Sequence, residues 1–298
     1  NNRCDQYYGG ACRFETSEPV SIIGCTFINN RAESSTNPGV SGGGAIFFGS
    51  TVSAALIHDC IFDNCFAYRG SFIFTNGAMK NISVSECTFQ NLQVGQSTSV
   101  YIMVDQQVTQ FTFDSNTFTG LSCTGPDGGA GLHVLNGDDC EISNCKFINC
   151  IGGGIEYTNN NGIIRIPDPS TAQLLFSLCE FNNEQKSHSQ DARAIYIANN
   201  ANVRFNSCSF LGYDQSDKDG AVLKSQSETC TIFYNCSFLA LEARSLMNMP
   251  KALSVDISSC QFSNCQMGDY LIIAGDAQDF KLDNNTFSDD SKTINIEG

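Results

Sequence analysis

The 298-residue chain has no tryptophan, three histidines and six prolines, and each scarcity removes a class of explanation. His58, His133 and His188 are scattered in sequence and no CxxC pair occurs, so no zinc site is expected; no metal, no cofactor and no catalytic residue is assigned. Basic residues are also few. Sixteen Lys and Arg stand against 31 Asp and Glu, and the resulting charge of −15 repels nucleic acid and anionic lipid as partners. There is no apolar run of about 18 residues and no signal-like stretch at the start, so no membrane span is expected in this segment.

What is abundant is a repeated phrase. Cysteine, any residue, phenylalanine, any residue, asparagine recurs at Cys25, Cys60, Cys87, Cys145 and Cys260. With that cysteine at position zero, the position is filled by Cys25, Cys60, Cys87, Asn116, Cys145, Cys179, Cys208, Cys236, Cys260 and Asn285. Two residues later stands Phe27, Phe62, Phe89, Phe118, Phe147, Phe181, Phe210, Phe238, Phe262 and Phe287. Three residues before zero the residue is always apolar, from Ile22 and Ile57 to Ile257 and Leu282. Period-two alternation on either side of a polar pair predicts two short strands and a bend. A third apolar strand follows in each unit, as in "AIFF", "SFIF", "GIEY" and "AVLK". Three strands and three bends per unit of 24 to 35 residues, with no 3.6-residue period, predict an all-β fold: a right-handed, single-stranded parallel β-helix of about ten coils, residues 1–298 forming one solenoid. Irregular loops are expected at 31–44, 121–130, 158–173 and 184–193. The final "TINIEG" reads as a strand in mid-coil, so the chain is expected to be a fragment of a longer one or a subunit that stacks end to end.

In such a solenoid each motif position becomes a column with a spacing of about 4.8 Å. The asparagines four residues after zero, such as Asn29, Asn64 and Asn149, are expected at left-handed corners. The cysteines at zero fit either as small apolar fillers of the lumen or as disulfide partners across adjacent coils. The off-column Cys65, Cys123, Cys140, Cys150, Cys230 and Cys265 are the better disulfide candidates, Cys123 with Cys150 in particular. Sixteen cysteines and three sequons, making Asn81, Asn235 and Asn284 candidate glycosylation sites, point to a secreted or cell-surface chain.

"FINNRA" at Phe27–Ala32 and "GGAI" at Gly43–Ile46 resemble the FxxNxA and GGA[ILV] elements of polymorphic outer membrane protein repeats, with weaker echoes in "FDNCFA" at Phe62 and "DGAV" at Asp219. Such repeats occur in bacterial autotransporter adhesins and in surface proteins of some parasitic protists. The resemblance implies a surface-exposed, adhesive or structural rod.

Other β-helices are polysaccharide hydrolases or lyases, which need acids projecting from adjacent coils. Asp138-Asp139 is the sharpest hint of that kind, with His133 on the strand before it, but paired acids in a bend are more often solvated turn residues. "DQSDKDG", Asp214–Gly220, lacks the bidentate Glu of a calcium loop. The middle residues of the third strand, Phe47, Ile73, Tyr196, Leu223, Met247 and Ile272, are expected to form an exposed apolar stripe for interaction. The expected function is a structural or adhesive surface rod, or a filament subunit, with a protein partner or self-association, lateral or end to end, and surface glycans as the partner classes. The alternative is a carbohydrate-active enzyme.

Overall fold

The computed structural model describes residues 2–4, 8–33, 41–67, 69–91, 93–94, 102–123, 132–152, 162–166, 172–183, 193–197, 201–275, 277–288 and 296–297. Among them every regular element is a strand, and every pairing of strands is parallel. The second strands, from Thr26–Ile28 to Thr286–Ser288, stack into a sheet of ten, one strand per coil. The first and third strands run together around the remaining corner into a 19-stranded sheet. A short fourth pairing follows the asparagine corner, as in Arg31–Ala32 on Phe66–Ala67 and Ser122–Cys123 on Ile151–Gly152. Two expected loops therefore begin with ladder-bonded residues.

The columns read from the sequence are the columns of the fold. Ile22 lies opposite Ile57, and the register continues unbroken through Val84, Phe113, Ile142, Phe176, Phe205, Phe233 and Ile257 to Leu282. The ten phenylalanines form one continuous stack, with ring centroids 5.0 Å apart at Phe27–Phe62, 4.6 Å at Phe89–Phe118 and 4.8 Å at Phe262–Phe287. Burying a phenylalanine contributes about 1.5–3 kcal/mol and an offset stack about 0.5–1.5 kcal/mol more, so this column is the main apolar spine of the lumen.

Eight of the ten coils turn through two left-handed residues among those described. The second corner falls at Asn29, Asn64, Asn91, Gly120, Asn149, Gly212, Ala240 and Asn264, with φ between 49° and 71°, whereas Asn183, also expected there, is buried and is not left-handed. The first lies immediately before position zero in all ten coils: Gly24, Asp59, Glu86, Ser115, Asn144, Leu178, Ser207, Asn235, Ser259 and Asn284. Its N–H bonds the next coil, as Leu178 N–H does to the Asn206 carbonyl at 2.9 Å, so the ladder imposes the conformation whatever the side chain. A third corner explains the "GGAI" element. Gly43 has φ 69°, and a Cβ on Gly44 would overlap the Ser71 carbonyl oxygen of the next coil.

Position zero has a hydrogen-bonding task. The residue after a left-handed corner turns its N–H into the lumen, where the side chain of the next coil accepts it: Cys87 N–H to Asn116 Oδ1 at 2.9 Å, Cys236 N–H to Cys260 Sγ at 3.4 Å, and Cys260 N–H to Asn285 Oδ1 at 2.8 Å. The same side chains donate backward to a carbonyl. Asn116 Nδ2 reaches Val84 O at 2.8 Å and Asn285 Nδ2 reaches Ile257 O at 2.7 Å, as Cys179 Sγ reaches Ile142 O at 3.3 Å. Cysteine and asparagine interchange here because both are small, accept and donate. Burial pushes the Cys87 thiol up to about 12 and raises that of Cys60, so both remain protonated donors at neutral pH.

Three expectations are corrected. First, Cys65, Cys150 and Cys265 form a second lumen column, five residues after zero, in which Cys65 Sγ donates to Phe27 O at 3.4 Å and Asn30 Nδ2 to Cys65 Sγ at 3.7 Å. They stand several coils apart, and backbone register sets Cys123 opposite Gly152, so Cys123 and Cys150 are two residues out of step. Cys140 lies between Phe111 and Leu174. Second, the third strand of the coil after Cys145 is Gly162–Ile166, not "GIEY": Ile164 pairs with both Leu132 and Ile195. The tract 158–173 is thus partly ladder.

Third, the apolar stripe does not exist as an exposed feature. Phe47, Ile73, Tyr196, Leu223, Met247 and Ile272 are all at most 4% exposed. The register divides them. Ile73, Leu223, Met247 and Ile272 belong to the inward column that begins at Ile46, whereas Phe47 and Tyr196 belong to the outward column that includes Phe74. Consecutive apolar residues carry no period-two phase, so a one-residue slip between coils mixed the two faces. The outward ones are covered: Tyr8 stacks on Phe47 at 4.4 Å, Phe47 contacts Phe74 at 5.7 Å, and the Arg13 guanidinium lies 5.6 Å from the Phe47 centroid.

Candidate binding face

The outward side chains of the first sheet fall into three columns, six, four and two residues before position zero, and this face carries a groove. It spans three coils and encloses about 470 Å³. Its floor is aliphatic. Leu175 lies opposite Arg204, and Arg204 opposite Ile232, so the guanidinium is flanked along its column by two hydrocarbon side chains. Its rim is amide: Gln173 opposite Asn202, and Asn206, whose Oδ1 accepts from Arg204 Nε at 2.9 Å. Tyr234, half exposed, lies opposite Asn206 on the next coil, outside the lining of the groove. Half-buried Cys230 closes one side.

The ion pairs leave two described cations, Arg204 and Lys80, without a carboxylate, and of these Arg204 lines the groove. Most described cations are ion-paired: Arg13 with Glu15 at 2.8 Å, Arg31 with Glu33 at 3.0 Å, Arg244 with Asp269 at 2.7 Å, and Lys281 with both Asp256 at 3.6 Å and Asp283 at 3.7 Å. Among the described residues Arg204 has no carboxylate partner, although the chain carries a charge of −15.

Of the acids proposed from sequence, Asp139 is exposed and lies between Gln110 and Gln173; the side chains of Asp138 and His133 fall outside the described residues, as do those of residues 215–219 in the "DQSDKDG" tract. Among the described residues of these three columns no two carboxylates are neighbours in one column: Glu141 sits between Thr112 and Leu175, and Asp256 between Ile232 and Lys281. Partial burial works to raise the Asp114 carboxyl, but hydrogen bonds from Ser143, Asn144 and Ser115 outweigh it and hold that carboxyl below its usual range. The sequon residues Asn81, Asn235 and Asn284 are all exposed, Asn235 and Asn284 at first corners.

The sequence reading missed the groove. Leu175, Arg204 and Ile232 are 28 or 29 residues apart, and only the coil register brings them together.

A family model described as "Right handed beta helix region" matches residues 96–297. Comparison with curated proteins and with solved structures found no match.

Proposed function

We propose, from the premise that this chain belongs to the right-handed beta-helix family, that it is an extracellular or cell-surface structural and adhesive rod. The polymorphic outer membrane protein-like motifs, the acidic surface and the exposed sequons support that setting. The observation that carries the adhesive reading is the groove at Arg204, a preformed cleft on a stiff sheet with an unneutralised cation. The rival reading, a carbohydrate-active enzyme, asks for two carboxylates within reach of one substrate bond, one of them kept protonated. The depressed Asp114 is not a protonated acid and favours binding over bond cleavage, while Asp139 and Glu141, two residues apart on one outward strand face, are the carboxylates the rival reading would use.

Electron microscopy of native material and a surface-attachment assay test this. Rods or filaments that retain the protein on a surface are expected. Compact particles that attach to no surface and no copy of themselves sink the proposal. A broad glycan panel should show no depolymerisation, and cleavage lost on changing Asp138 and Asp139 to Asn would establish the enzyme instead.

A further inference from the structure

Position zero carries cysteine without a break from Cys145 to Cys260, and Cys145, Cys179, Cys208, Cys236 and Cys260 are at most 1% exposed. The residues that follow them, Lys146, Glu180, Ser209, Ser237 and Gln261, lie directly opposite one another, so the five sulfurs form one straight row. Each thiol interacts with the next: Cys145 with Cys179, Cys179 with Cys208, Cys208 with Cys236, and Cys236 with Cys260. Asn116 and Asn285 bound the row. Cys60 and Cys87, adjacent and buried on the far side of Asn116, offer a further pair. The hydrogen-bonding task of the position is met equally by asparagine, so it does not account for an unbroken row of sulfur.

Spacing decides what such a row can hold. A disulfide brings its Cβ atoms to about 3.5–4.5 Å, closer than the coil spacing of about 4.8 Å, and all five are free thiols. A tetrahedral ion such as zinc takes four ligands, and among the described residues no three metal-ligating side chains converge. A linear ion needs only two. With metal–sulfur bonds of about 2.3 Å it spans about 4.6 Å between sulfurs, close to the rise of one coil. Thiolates select soft ions, Cu(I) among them. A sulfur that bridges two ions is pyramidal and bends the line between them, whereas ions in a straight row would lie on opposite sides of it. The row therefore fills in pairs. A filled pair has released two thiol protons to solvent and keeps one negative charge, and backbone N–H groups aimed at the row, as Cys236 N–H at Cys260 Sγ at 3.4 Å, are placed to stabilise it.

We infer that this row is a soft-metal site, a stack of thiol pairs that each hold one Cu(I) ion linearly between adjacent coils. Because the sulfurs are buried, the ion is taken up as the coils form. Refolding the whole chain from urea with Cu(I) under anaerobic conditions, then washing with excess glutathione to strip surface thiols such as Cys230, tests this. Metal analysis counts the retained ions, and X-ray absorption should show two sulfur neighbours for each. The loaded protein should have a higher urea midpoint than the metal-free protein, and Zn(II) supplied in the same way should not be retained. Pairing makes the variants unequal. Cys179→Ser isolates Cys145 and should lose one ion per chain, as should Cys236→Ser, which isolates Cys260. Cys208→Ser divides the row into two intact pairs and should lose none. Serine is small and both donates and accepts, so the fold is kept, and the urea midpoints of the metal-free variants check that. Equal losses from Cys179→Ser and Cys208→Ser, three or more sulfur neighbours per ion, retention of Zn(II) in place of Cu(I), or no retained Cu(I) in refolded protein overturns the inference.

Discussion

In the second strand of every coil but the last one buried residue lies between two that reach solvent, as in Thr117-Phe118-Thr119; in several third strands successive residues are all buried, as in Ile46-Phe47-Phe48 and Ile73-Phe74-Thr75. Both are three residues long. The first closes the lumen from one side only, while the third also carries an outer layer, the Tyr8, Phe47 and Phe74 cluster, separate from the main core. An apolar side chain is therefore buried for different reasons at the two places. Phe147 is held between stacked rings at 4.9 Å on each side, in a lumen that cannot open, whereas Phe47 is covered by one ring at 4.4 Å and a cation.

Truncation tests that difference most directly. Phe147→Ala leaves a cavity in a rigid column and should cost about 3–5 kcal/mol. Phe47→Ala should cost about 2 kcal/mol, because Tyr8, already 6.3 Å from Phe74, can settle onto that ring and water can enter what remains. Urea midpoints of the two variants decide the matter. Equal losses would make the outer cluster part of the core in energetic terms.

The same contrast explains what could be read without coordinates. The apolar column before position zero and the phenylalanine column were legible because alternation with polar residues fixes which face is inward, and ten copies fix the register. The third strand hid its phase because both of its faces are covered, and the stripe inferred from it mixed two columns. The second corner was legible in its asparagines and glycines. The first corner was not, since residues as unlike as Glu86 and Leu178 adopt it under the constraint of the neighbouring ladders. The binding face was least legible of all: no local pattern marks Arg204, whose neighbours come from the coils before and after it.

Position zero offers a second comparison, between coils that use asparagine and coils that use cysteine. Asn116→Ala removes the acceptor for Cys87 N–H and leaves the Val84 carbonyl without its 2.8 Å donor, both inside the lumen. An unmade bond of this kind costs about 1–3 kcal/mol, so the urea midpoint should fall accordingly. Asn116→Cys should restore most of the loss, because Cys260 performs the same task for Cys236 at 3.4 Å. If alanine were as stable as cysteine there, the column would be a matter of volume alone, and the hydrogen-bonding account of its composition would be wrong.

The smallest expected effect separates the two corners. At the second corner asparagine and glycine relieve the left-handed backbone, but at the first corner Leu178 holds φ 55° with its side chain 61% exposed. A left-handed conformation costs an ordinary L-residue about 1–2 kcal/mol, and an exposed leucine recovers little of that by burial. Leu178→Asn should therefore stabilise the fold by about 0.5–1 kcal/mol, and Leu178→Val, branched at Cβ, should destabilise it by a similar amount. Both shifts are measurable as urea midpoints. Leu178 N–H bonds the carbonyl of Asn206, which borders the groove, so the same variants bear on why a leucine stands there. A stabilised Leu178→Asn protein with weakened surface attachment would mean that the strain is kept for contact with a ligand; unchanged attachment would leave the leucine with no role that offsets its cost.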